Sequence, residues 1–207
     1  MELGIKNLYT KSELEVFKRL STPQKIQDYL NSLKFNFEKG GETCMSPRFV
    51  MQTKKAHCME GAMFAAAALE FCGHKPLVMD LRANKDDFDH VVCVFEKYGS
   101  LGALSKTNHA VLRYREPIYK NIRELALSFF HEYFDERGRK NLREYSSLCD
   151  LRTFNFLDWR TTEKNLFAVP KALDKIKHFK ILSKEQVKNL RLADRVEIQA
   201  GKIVEYK

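Results

Sequence analysis

A chain of 207 residues, 44% hydrophobic and 30% charged, is long enough for one sizeable core and has an ordinary globular composition. No apolar run approaches the ~18 residues of a membrane span, and the first twenty residues carry Glu2, Lys6, Lys11, Glu13, Glu15, Lys18 and Arg19, which excludes a secretory h-region there. Five scattered cysteines without a CxxC pair (Cys44, Cys58, Cys72, Cys93, Cys149) point to reduced thiols rather than a disulfide framework, and so to the cytoplasm.

A net charge of +9 raises nucleic acid as a partner. The basic residues are nevertheless interleaved with acids, as in DERGRKNLRE and KALDKIKHFK, and salt-bridged helix faces produce that pattern as well as a binding surface does. Nucleic acid is therefore the less favoured expectation, and no membrane partner is expected.

Residues 1–40 predict a pair of helices. Thr10 with Glu13 suits a capping box ahead of the stripe Leu14, Phe17 and Leu20, and Ser21-Thr22-Pro23 starts a second stripe of Ile26, Tyr29, Leu30 and Leu33. A short helix after Pro47 would turn Val50 and Met51 inward. From Ala56 to Cys72 the chain becomes rich in small residues (Gly61, Ala62, Ala65 to Ala68) among Met59, Met63, Phe64 and Leu69. That composition predicts a buried central helix onto which a sheet can close, with Gly73 as its stop.

PLVMDL (76–81) reads as a strand, and HVVCVFE (90–96), rich in β-branched residues, is the clearest strand in the chain. Gly99 turns the chain and 101–105 returns beside it. Further on, 118–134 reads as an amphipathic helix, 139–148 as another short helix, 170–178 as a helix, SKEQ as a capping box, and VEIQAGKIVEY as a β-hairpin over Ala200-Gly201. The order predicts an α+β fold. It forms one domain, 1–207, with an N-terminal helical segment (1–45), a core (46–117) and a helical extension (118–207) ending in that hairpin.

The core sets a thiol and an imidazole on two different rigid elements, Cys58 opening the small-residue helix and His90 opening the strand. A free cysteine titrates near about 8.5, and a helix N-terminus with nearby cations lowers that value. Lys54, Lys55 and His57 would supply the positive charge, although His57 should point away from Cys58. His90 could then serve as base to the Cys58 nucleophile. If the hairpin turns around 97–100, His90 lies opposite roughly 105–108. Asn108 is then the first candidate to orient the imidazole and Ser105 the second. Gln52 could assist the Cys58 N–H as an oxyanion-hole donor. A metal site from Cys44, His57, Cys58, Cys72 and His74 lacks CxxC or HxxxH spacing, so no metal and no cofactor is expected.

CMEGAMFAAAALEFCGH, a strand, then DFDH opening HVVCVF and a return strand, resembles the transglutaminase-like superfamily within the papain-like cysteine fold. The resemblance covers about residues 50–110. It implies a Cys-bearing helix packed on an antiparallel sheet, Cys58 as nucleophile and His90 as general base, and cysteine-dependent acyl transfer or hydrolysis of a peptide, protein or small amide. Such families place an acid on the return strand. GALSKTN offers none. The alternative is a catalytically inactive module that keeps the fold to bind a protein or nucleic acid.

Overall fold

The computed structural model describes residues 2–207. Apart from Met1, which lies outside the described residues, the N-terminal segment is a short α1 (Glu2–Lys6), not expected from the stripes, followed by the pair of helices that they predict, α2 (Lys11–Arg19) and α3 (Pro23–Ser32). Thr10 and Glu13 cap α2 reciprocally. The Glu13 N–H donates to Thr10 Oγ1 at 3.3 Å, and the Thr10 N–H donates to Glu13 Oε2 at 2.7 Å. Thr22 caps α3, with Pro23 at its first position.

A short parallel pair, β1 (Lys34–Phe35) with β2 (Lys55–Ala56), brackets helix α4 (Pro47–Thr53), whose Val50 and Met51 are buried. Lys54 closes α4 in the left-handed region at φ 56°. The chain then enters α5 (Cys58–Phe71), in which every residue from Met59 to Glu70 is buried. A helix apolar all round belongs inside the molecule, and its run of alanines lets the sheet approach closely. Gly73 follows at φ 89°.

The sheet contains β3 (Leu77–Ala83), β4 (His90–Lys97), β5 (Ser100–Leu104), β6 (Arg115–Tyr119), β7 (Leu142–Ser146), β8 (Cys149–Asp150) and β9 (His178–Lys180). The strand order is β6-β5-β4-β3-β7-β9, with β8 also on β3, and all pairs are antiparallel. Strand β4 is covered on both faces. Val91, Cys93 and Phe95 join the cluster around α5, while Val92 and Val94 join the cluster around helix α6 (Ile122–Phe130). That double covering is why 91–95 reads as an unbroken apolar run. Tyr98 and Gly99, both left-handed, close the β4–β5 hairpin and set Lys97 opposite Ser100 and Cys93 opposite Leu104.

The fold is α+β with an antiparallel sheet, as expected, but 118–207 is not a helical extension. Residues 115–119 form β6, so the amphipathic helix begins only at Ile122. The span 139–148, expected to be helical, supplies β7 beside β3. Its Leu142 and Tyr145 are buried and Ser146 Oγ accepts the Asp80 N–H at 2.9 Å, so pairing overrides local preference. A 3₁₀ segment (Leu151–Leu157), α7 (Ala168–Leu173) and α8 (Lys184–Lys188) follow, the last carrying the Ser183–Gln186 capping box. The expected C-terminal hairpin is instead helix α9 (Arg195–Gly201), after which the chain pairs with the segment near His109. None of the described helices is long and apolar enough to cross a membrane.

Candidate active site

Strand β2 pins the approach to α5. Lys55 and Ala56 lie against Lys34 and Phe35, and the Asn36 N–H donates to the Ala56 carbonyl at 3.1 Å. His57 is therefore extended (φ −93°, ψ −175°) as the N-cap, and Cys58 is the first residue of the helix. At that position a backbone N–H has no intrahelical acceptor and the helix dipole presents its positive end.

His90 is buried at the start of β4, with Nε2 2.8 Å from Ser105 Oγ. Ser105 Oγ also donates to the Leu112 carbonyl at 2.6 Å. A hydroxyl has one proton and a carbonyl can only accept, so Ser105 must accept from His90. The neutral ring thus carries its proton on Nε2, and Nδ1 is the nitrogen left for another partner.

Ser105 is itself held by Gln27 of α3. The Gln27 amide donates to the Ser105 carbonyl at 2.8 Å and accepts its N–H at 3.0 Å. Immediately beyond, Lys106 presses on Gly61 of α5 so closely that a Cβ there would lie 2.4 Å from Lys106 Cβ. The Lys106 ammonium donates to the Leu33 carbonyl at 2.6 Å. Helix α3, helix α5 and the end of β5 are locked together at this point.

Asn108, the first candidate to orient His90, does something else. Its amide donates to the Tyr206 carbonyl and accepts the Tyr206 N–H, both at 2.9 Å, and so tethers the C-terminal segment. The residue bonded to His90 is the second candidate, Ser105.

His57 also departs from expectation, because its ring does not turn away from Cys58. Burial alone would raise the Cys58 thiol. Hydrogen bonding from His57 and His90, with the charge of both rings, outweighs it and brings the thiol down to about 5. Burial would lower His57, but Cys58, Glu60 and the Thr43 carbonyl raise it to about 9. The well-aligned hydrogen bond of each Nε2 is made elsewhere, His90 to Ser105 and His57 to the Thr43 carbonyl at 3.1 Å.

Behind His57 lies Glu60, fully buried in the first turn of α5. It accepts from Asn36 Nδ2 (3.0 Å), Thr43 Oγ1 (2.7 Å), the Met45 N–H (2.9 Å) and the His57 N–H (3.0 Å).

Gln52 is exposed on α4, and its side chain makes no hydrogen bond to a described residue. The approach lysines do not act on the thiol either. Lys54 Nζ bonds Tyr29 Oη at 3.1 Å, Lys55 is exposed, and the cations that act on Cys58 are the two histidines. Cys72 and His74 sit at the far end of α5, ~20 Å along a helix of this length, so the five-residue metal set does not converge. Cys93 is buried within β4, and burial holds its thiol far up.

Sequence reasoning missed Gln27, Thr43 and Glu60. Gln27 left a signal, since a polar side chain falls on the buried stripe Pro23, Ile26, Gln27 and Leu30 of α3. Elsewhere, Asp80, Asp89 and Asp174 bring carboxylate oxygens within 4.8 Å of one another. Asp80 is pushed up to about 6, mainly by burial, and is already bonded to His178 Nε2 at 3.0 Å. Compared with protein-family models and with curated proteins, the chain matches none.

Proposed function

We propose that the chain is a cysteine-dependent acyl-transfer enzyme or hydrolase of amide or ester bonds, built on a transglutaminase-like core, with Cys58 as nucleophile and His90 as its acid–base partner. The observation that carries this reading is one buried imidazole committed through Nε2 to Ser105 beside a helix-N-terminal cysteine whose thiol is driven down to about 5.

In this reading the Cys58 thiol first passes its proton to His90 Nδ1; the sulfur then attacks the substrate carbonyl carbon and a C–S bond forms. The oxyanion develops beside the unpaired N–H groups that open α5. As the C–N or C–O bond breaks, His90 passes its Nδ1 proton to the leaving amine or alcohol. A thioester on Cys58 remains. Water or an amine then loses a proton to His90 and attacks, the C–S bond breaks, and the thiolate returns.

The test is acylation by p-nitrophenyl acetate, followed by mass mapping of the modified peptide. An acetyl thioester on Cys58 that forms rapidly and turns over, and that is lost in Cys58→Ala and fails to form or turn over in His90→Ala, is the expected result. A folded protein in which Cys58 never acylates would favour the inactive binding module instead.

A further inference from the structure

We propose that His57 is a second catalytic imidazole: a fixed cation against the Cys58 sulfur that keeps its proton through the cycle, while His90 alone exchanges one. This rests on the reading of Cys58 as the nucleophile.

The two rings are wired differently. His57 Nε2 faces only acceptors, namely the Thr43 carbonyl at 3.1 Å, Glu60 Oε1 at 3.4 Å and Glu38 Oε1 at 3.8 Å. None of the three can donate to it, so Nε2 carries a proton in every state. The Glu60 N–H approaches the His57 side chain but makes no cap hydrogen bond with it, so Nδ1 is the nitrogen left to the sulfur. Two carboxylates on one side and a thiolate on the other favour a proton there as well.

Glu60 cannot swing away to relieve that field. Four donors from Asn36, Thr43, Met45 and His57 fix its carboxylate, and it is fully buried. Two further titratable groups feel this cluster: the buried Cys44 thiol is pushed up to about 12 by burial and then by Glu60, and the Tyr133 hydroxyl, which feels the Cys58 charge, is driven upward mainly by burial, so neither brings a competing charge. His90, by contrast, bonds a neutral hydroxyl, and among the described residues no carboxylate lies within salt-bridge range of it. One ring is held as a cation and the other is free to cycle.

The consequence is specific. When His90 gives its proton to the leaving group, a positive charge still faces the sulfur. When the thioester is cleaved, the departing thiolate returns to that charge. A cysteine served by one histidine loses its only counter-charge at the moment the proton moves.

The test uses the full chain with ¹⁵N-labelled histidine. Both His57 nitrogens should remain protonated through pH 8, with loss near 9, whereas an unperturbed imidazole titrates near about 6.5. In parallel, His57→Gln should raise the pH midpoint of iodoacetamide labelling at Cys58 by about 1–3 units with His90 intact. His57→Arg, which keeps the charge, should hold it low. A folded protein in which His57 titrates at or below the ordinary value, or in which His57→Gln leaves the midpoint unmoved, would overturn the proposal. A cationic His57 beside a cysteine that never acylates would sink the enzymatic reading alone. Cys58 acylation beside a neutral His57 would sink this inference alone.

Discussion

His90 and Ser105 meet at 2.8 Å where β4 begins and β5 ends, and the Ser105 hydroxyl spends its own proton on Leu112. The imidazole is thereby fixed in one tautomer by a neutral side chain, the second of the two candidates that the β4–β5 register offered. Ser105→Ala should release the ring and move the labelling midpoint of Cys58 upward by about one pH unit, the worth of one hydrogen bond of about 1.4 kcal/mol. Asn108→Ala should leave that midpoint in place and instead speed amide exchange at 203–206, which Asn108 tethers. The opposite pattern would restore Asn108 as the orienting residue.

Gln27 holds both backbone groups of Ser105. Replacing it by leucine fills similar volume but leaves a buried N–H and a buried carbonyl unpaired. The expected cost is about 3 kcal/mol, read as a fall of about 6–12 °C in Tm by thermal unfolding. An unchanged Tm would show that the clamp contributes nothing.

Gly61 lets the Lys106 side chain lie against α5. Alanine is normally the better helix residue by about 1 kcal/mol, yet here its Cβ would meet Lys106 Cβ at 2.4 Å. Gly61→Ala should destabilise by about 1–3 kcal/mol in urea unfolding. A stabilised variant would mean that the approach is looser than described.

Tyr9 presents the opposite case. Its hydroxyl is buried beside Phe17 and has no hydrogen-bond partner among the described residues, and burial drives its titration upward. Removing an unpaired buried hydroxyl relieves a desolvation cost. Tyr9→Phe should be neutral or stabilise by up to about 1 kcal/mol in urea unfolding. A loss of stability would reveal a partner for the hydroxyl.

Much of the site's scaffold was legible in the sequence because its signals are local. The small-residue composition marks α5, the β-branched run marks β4, and Gly99 marks the turn that sets the β4–β5 register. What was not legible depends on pairing at a distance. Register placed 105–108 near His90, but the choice of Ser105 over Asn108 is made by Gln27, 78 residues away, and by Tyr206, 98 residues away. His57 was expected to turn aside from its neighbour. Its ring is instead drawn back by Thr43 and Glu60, partners that no local pattern reveals. Strand β7 was misread because its sheet pairing overrides local preference, whereas α9 carries a local signal, the Asp194–Glu197 capping box, that the turn-like Ala200-Gly201 outweighed in the reading.

The account stands most directly on the pH dependence of iodoacetamide labelling at Cys58 in the wild-type chain. The Cys58 value is depressed from 9.0 to about 5, so thiolate stabilisation is present above the ordinary value and lost as pH falls through about 5. The His57 value is raised from 6.5 to about 9, so its contribution is present below the ordinary value and lost as pH rises through about 9. The pair therefore defines a window between those limits in which labelling should run at its plateau, with a lower midpoint near 5. A single midpoint near about 8.5, the value of a free cysteine, would contradict the account.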